Sequence, residues 1–177
     1  MVFGPYPADH CFHIENSALF KSMGSGVRMA EFLLLRGGSG GEPPTIWVVE
    51  AKSGAPRPET EKFRDYIDAI RQKLTNAFAL GLAARLGRHG VAAAAELPEP
   101  FRKIDPSAIG FRLVLVVSGH RKDWLPPLQE ALTKTLGPTI KTWGLSPPAV
   151  AVLNEDGAEK HRLVVKVGVL PPRMSLL

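Results

Sequence analysis

Cysteine is nearly missing from this chain, Cys11 being the only one. One thiol cannot build a disulfide framework, so a reducing, cytoplasmic compartment is expected. Long apolar runs are missing too. Phe32 to Leu35, Ile46 to Val49 and Val114 to Val117 are strand-sized, far below the ~20 residues of a membrane span, so no membrane partner is expected. Neither charge sign dominates. The 22 Lys and Arg against 17 Asp and Glu leave +5, which permits an anionic partner without demanding one. Internal repeats are absent, and the N-terminal stretch with Asp9, His10, His13 and Glu15 does not read as a signal peptide. There are 17 Gly and 16 Pro in 177 residues, above the ~12 % background but short of the ~25–30 % of low-complexity chains.

Several common site patterns are also incomplete. His10, Cys11 and His13 are ligand types for zinc, but no second Cys/His pair stands at usable spacing. Gly37 to Gly41 lacks the Lys-Ser/Thr ending of a phosphate-binding loop. Ser53 lacks a His/Asp partner for a hydrolase triad.

What remains is an ordinary globular composition, 45 % apolar and 22 % charged, long enough for one domain with a hydrophobic core. A single domain over 1–177 is expected, with a core over about 11–170 and an irregular arm over 1–10. Cys11 to Lys21 reads as a short helix. Val27 to Leu35 and Thr45 to Lys52 read as two strands of a hairpin around a Gly/Pro loop. Phe63, Ile67, Ile70, Leu74, Phe78 and Leu82 recur at three- and four-residue spacing, the mark of a long amphipathic helix. Its other face carries Glu61, Lys62, Arg64, Asp65, Asp68, Arg71 and Lys73. Val91 to Ser107 reads as a surface excursion. Phe111 to Val117 is a fully buried strand, Trp124 to Trp143 a helix, and Ala149 to Leu153 and Leu163 to Val169 are strands around an Asn154 to Gly157 turn. The expected class is α/β, a mixed central sheet flanked by helices.

The chemistry concentrates in Trp47-Val48-Val49-Glu50-Ala51-Lys52-Ser53. Strand alternation projects Glu50 and Lys52 from one face, Val49 and Ala51 from the other. In the preceding strand, Glu31 interrupts an apolar series. If the hairpin folds near Gly40 and Gly41, positions summing to about 81 face each other, and Glu31 falls beside Glu50. Two carboxylates that close repel unless a proton or cation lies between them. A hard divalent ion is the natural cation, and the Ala51 carbonyl is an acceptable further ligand. Such a site suits phosphodiester hydrolysis: the metal activates a water, and a nearby Lys offsets charge on the phosphate. The alternative reading makes Glu50 and Lys52 an exposed pair and Glu31 a solvent-facing residue of an edge strand.

Glu31, followed on the next strand by Glu50-Ala51-Lys52, resembles the signature of the PD-(D/E)XK, or restriction-endonuclease-like, nuclease superfamily. The resemblance spans roughly Cys11 to Gly119. It implies a metal site for Mg²⁺ or Mn²⁺ held by Glu31, Glu50 and the Ala51 carbonyl, with Lys52 serving the attacking water. Glu15 matches the additional helical acid seen in many members. The upstream acid of that superfamily is most often Asp, and here it is Glu. DNA is the implied substrate, with RNA as the alternative. Arg64, Arg71 and Lys73 of the long helix and His120, Arg121 and Lys122 after the third strand are the expected phosphate contacts. A catalytically inactive member serving nucleic-acid binding or complex assembly is the second reading. A lone core of this size would, by analogy, work as a homodimer or beside a partner subunit.

Overall fold

The computed structural model describes residues 1–37, 43–146 and 148–165. Its centre is a five-stranded mixed sheet in the order β2-β3-β4-β5-β6. The strands are β2 (Cys11–Phe12), β3 (Phe32–Arg36), β4 (Thr45–Lys52), β5 (Gly110–Val117) and β6 (Val150–Leu153). The β2/β3 and β3/β4 pairs are antiparallel, while β4/β5 and β5/β6 are parallel. Parallel neighbours need crossover connections. α2 (Lys62–Arg85), α3 (Gly90–Glu96) and α4 (Glu99–Lys103) lie between β4 and β5, and α5 (Leu125–Thr142) lies between β5 and β6.

Strand alternation divides the core between two faces. Leu33, Leu35, Val48, Leu113, Leu115 and Val117 pack with Ile70, Leu74 and Phe78 of α2 and Leu128, Leu132 and Leu136 of α5. Phe32, Leu34, Trp47, Val49, Val114 and Val116 pack on the opposite side with Ala158 of α6 (Glu155–Lys160), Leu163 and Val164. The hairpin register is the one the loop symmetry predicts, with Phe32 opposite Val49 and Leu35 opposite Ile46. Among the described residues no helix is long and apolar enough to cross a membrane.

Five local readings are corrected. The N-terminal arm is not wholly irregular: β1 (Val2–Phe3) pairs antiparallel with β7 (Val164–Val165), and the Tyr6 hydroxyl donates to the Leu163 carbonyl. Cys11 and Phe12 form an edge strand rather than a helix, opposite Leu34 and Leu33. The helix begins only after Ser17, whose hydroxyl caps it by accepting from the Phe20 amide at 3.0 Å, giving α1 (Ala18–Ser22). β3 begins at Phe32, not Val27. Residues 91–107 carry α3 and α4, because Ala93, Leu97 and Phe101 find burial against the core. The expected turn at Asn154 is the capped start of α6, the Asn154 side chain accepting from the Gly157 amide at 2.9 Å. The expected strand beyond Val165 lies outside the described residues.

Burial of the β2 edge raises the Cys11 thiol to about 11. Only about one thiol in a thousand is then ionised at pH 8. Cys11 is expected to react with a disulfide reagent at pH 8 roughly 100-fold more slowly in the folded chain than in urea. Equal rates would show that β2 is not docked.

Candidate active site

Glu50 sits near the C-terminal end of β4 on the face that meets α2. It is 0 % exposed, and Ser17 is the other buried polar residue among those described. An isolated carboxylate in such a place is prohibitively costly, so it must be paired. Two ammonium groups do this. Lys52 Nζ lies 2.6 Å from Glu50 Oε1, and Lys73 Nζ lies 2.9 Å from the same oxygen. Lys52 reaches it from two residues along the strand, on the same face. Lys73 reaches it from α2, where Tyr66, Ile70 and Lys73 form one helical stripe at i, i+4 and i+7. Glu50 Oε2 is buried and has no hydrogen-bond donor among the described residues, and neither does the buried Tyr66 hydroxyl.

Glu31 lies one step beyond the β3/β4 ladder, its amide donating to the Val49 carbonyl at 3.1 Å. Burial pushes its carboxyl above the ordinary range. The charges of Glu50 and then Glu15 push it further, against the pull of Lys52 and Lys73. Glu15 stands in a 3-10 turn (Ile14–Asn16) and reaches Lys73 Nζ at 4.0 Å. Burial works against the Lys52 ammonium, but hydrogen bonding to Glu50 and the charge of Glu50 outweigh it, so its pKa is raised. Tyr66 is raised by burial first and by Glu50 second. The structure thus gathers Glu15, Glu31, Glu50, Lys52 and Lys73 at one end of the sheet. Three carboxylates against two ammoniums leave one formal negative charge. Ala51 lies in the β4/β5 ladder opposite Val116, and strand alternation turns its side chain away from the face of Glu50 and Lys52.

Among the described residues, no three His, Cys, Asp or Glu side chains form a ready cage. Glu50 Oε2 is a buried oxygen without a donor among the described residues, and the Glu50 charge helps to raise the Glu31 carboxyl. Glu15 instead faces Lys73.

The expected phosphate contacts separate. Lys73 belongs to the carboxylate cluster, its side chain 20 % exposed, rather than to the solvent face. Arg71 is tied to Asp68 at 2.8 Å. Arg64 is exposed beside Asp65 and Asp68, along the groove between α2 and α5. His120, Arg121 and Lys122 follow β5, whose last residue Val117 is opposite Lys52, and the Ser118 amide donates to the Lys52 carbonyl at 2.8 Å. That loop therefore starts beside the end of β4, at the strand ends where open α/β sheets bind ligands.

Three residues of this end escaped sequence reasoning. Tyr66 was hidden within an amphipathic helix, although its seven-residue spacing to Lys73 marks one face. Trp124 and Arg57 come together only in the fold. Trp124 is 39 % exposed, with the Arg57 and Arg121 guanidinium carbons 5.7 and 5.5 Å from its ring centroid and the His120 ring edge-on at 5.4 Å. Burial lowers the His120 pKa. No protein-family profile, curated protein or solved structure matches this chain.

Proposed function

We propose that this protein is a metal-dependent nuclease of the restriction-endonuclease-like class, hydrolysing phosphodiester bonds in DNA. The observation that carries the reading is Glu50: a fully buried carboxylate at the end of a central strand, with Lys52 on its Oε1, no donor on its Oε2 among the described residues, and Glu31 beside it. An antiparallel hairpin followed by a helical crossover to a parallel strand supports it. Glu31 and Glu50 would hold one Mg²⁺ or Mn²⁺. Bound there, such an ion supplies a low-pKa water and Lewis acidity toward a phosphoryl oxygen. Lys52 stays charged at neutral pH, since Glu50 raises its pKa. Its ammonium orients the attacking water and offsets negative charge growing on the phosphate oxygens. Arg121 and Lys122 neutralise neighbouring phosphates. The exposed Trp124 ring offers a surface on which a base stacks.

The test is incubation with single-stranded, double-stranded and branched DNA and with RNA, in Mg²⁺, in Mn²⁺ and in chelator. Metal-dependent cutting that disappears in Glu50→Gln is expected. A second reading, an inactive member acting in binding or assembly, is favoured by one observation: the Lys73 ammonium lies between Glu50 and Glu15, where a cation would serve. Nucleic-acid binding with no cutting under any metal would select it.

Trp124→Ala is expected to weaken single-stranded oligonucleotide binding about 10-fold or more, because base–aromatic stacking contributes about 1–3 kcal/mol. Its melting temperature should hardly move, since the ring is partly exposed. Unchanged affinity in a filter-binding titration would remove Trp124 from the interface.

A further inference from the structure

A second charged site lies on the opposite face of the sheet from Glu50. Arg36 ends β3, Trp47 lies in β4, and Arg112 lies directly opposite Trp47 in β5. The guanidinium carbons of Arg36 and Arg112 lie 4.7 and 5.1 Å from the centroid of the Trp47 ring, which is only 6 % exposed. The His161 ring meets the same indole edge-on at 5.5 Å. Arg36 is held further by donating from Nη1 to the His161 carbonyl. These are not loose surface arginines: the indole face and the backbone hydrogen bond set their direction before any ligand arrives.

They line an open cavity of about 350 Å³ together with Lys160 and Arg162, and among the described residues no Asp or Glu lines it. Like charges gathered this closely repel. Burial lowers the Arg36 pKa, and Arg162 and Arg112 lower it too. The His161 imidazole is lowered by burial and then by Arg112 and Arg36.

The backbone adds an independent sign. Arg162 has φ +53°, the left-handed conformation that follows a helix end, where Gly is the usual residue. The His161, Arg162 and Leu163 amides donate back to the Gly157, Glu159 and Ala158 carbonyls. A side chain kept where Gly would be less strained is a reason to look for a function.

We propose that this cavity is a phosphoryl-binding site, separate from the Glu50 cluster, in which Arg36, Arg112 and Arg162 grip the oxygens of one phosphate group. Arginine forks match phosphate oxygens in pairs. The Trp47 ring is 6 % exposed, so the indole orients the two guanidiniums and has no open face on which a base could stack. The ligand recognised is the phosphate itself, whether as a free anion or carried on a nucleic-acid strand. The site does not depend on the nuclease reading.

The test is calorimetric titration at constant ionic strength with inorganic phosphate, pyrophosphate, and a short oligonucleotide with or without a 5′-phosphate. Saturable binding of at least one phosphate probe is expected, with a loss of about 10-fold or more in Arg112→Gln. Arg162→Gly is the second variant. Gly suits the backbone there, so the variant should fold at least as well while binding phosphate several-fold more weakly. Tighter binding of inorganic phosphate or pyrophosphate identifies a free anion. A preference for the 5′-phosphorylated strand over the unphosphorylated one identifies a strand end, and equal binding of both strands that still falls in the two variants identifies internal phosphates. No saturable binding of any probe, or binding that both variants retain, overturns the proposal. Either result leaves the cutting assay at Glu50 to stand or fall separately.

Discussion

Glu50→Gln is expected to lose cutting by at least about 100-fold and, in chelator, to unfold at lower urea than the parent. The stability loss follows from the pairing. The amide cannot balance two ammoniums that lie 2.6 and 2.9 Å from one carboxylate oxygen. Breaking a fully buried pair costs about 3–5 kcal/mol. Lys52 and Lys73 have side chains 34 % and 20 % exposed and can turn their ammoniums toward water on flexible stems. The expected loss is therefore about 2 kcal/mol, below the fully buried value. Adding Lys73→Met to Glu50→Gln should recover part of it, since one stranded charge is then gone. The loss of cutting has a different origin. Glu50 Oε2 is a buried oxygen without a donor among the described residues, and an amide there is a weak ligand for a hard cation. Urea melts in chelator read the first effect, and Mg²⁺ calorimetry with cleavage assays reads the second. A variant that melts with the parent and binds the ion as well would take Glu50 out of both roles.

Lys52→Ala should slow cleavage by roughly 10²–10³ while leaving metal and nucleic-acid binding nearly unchanged. One ammonium is a small part of a phosphate interface, and its removal shifts the salt slope of binding by only about one unit. A positioned charge facing a developing anion is a large part of a chemical step, about 10²–10³ in rate by analogy with oxyanion-hole donors. The Lys52 carbonyl still accepts from the Ser118 amide in the variant, because that bond is made by the backbone. The end of β4 should therefore stay in place. Single-turnover cleavage beside filter binding at several salt concentrations separates the two effects. Equal rates in parent and variant would show that the Glu50–Lys52 pair is structural only, and Lys73 would then be the first ammonium to test.

Local patterning made the middle of the molecule legible. Thr45–Lys52 and the run at Phe111–Val117 are apolar and β-branched enough to be strands in any context. Symmetry about Gly40 and Gly41 in the sequence predicts the pairing of Phe32 with Val49, and the β3/β4 register has that pairing. The three- and four-residue spacing from Phe63 to Leu82 determines both α2 and the face it buries. Glu50 and Lys52 on one side of a strand, with Glu31 across from them, follow from the same two periods.

What periodicity does not encode is which distant group satisfies a given charge or edge. Lys73 reads as one more solvated cation until the packing of α2 on the sheet turns it toward Glu50 and Glu15. Cys11 and Phe12 become a strand only because the β3 edge lies open to them, and Val2 and Phe3 only because the chain returns at Val164 and Val165. The indole of Trp47 gathers Arg36 from one strand, Arg112 from another and His161 from beyond the last helix. Hydrophobic burial is written residue by residue, so α2, β4 and β5 were determined by their own segments. Partners for charges and strand edges are chosen among groups far apart in the chain, and only the tertiary structure, by bringing those groups within a few ångströms, decided them.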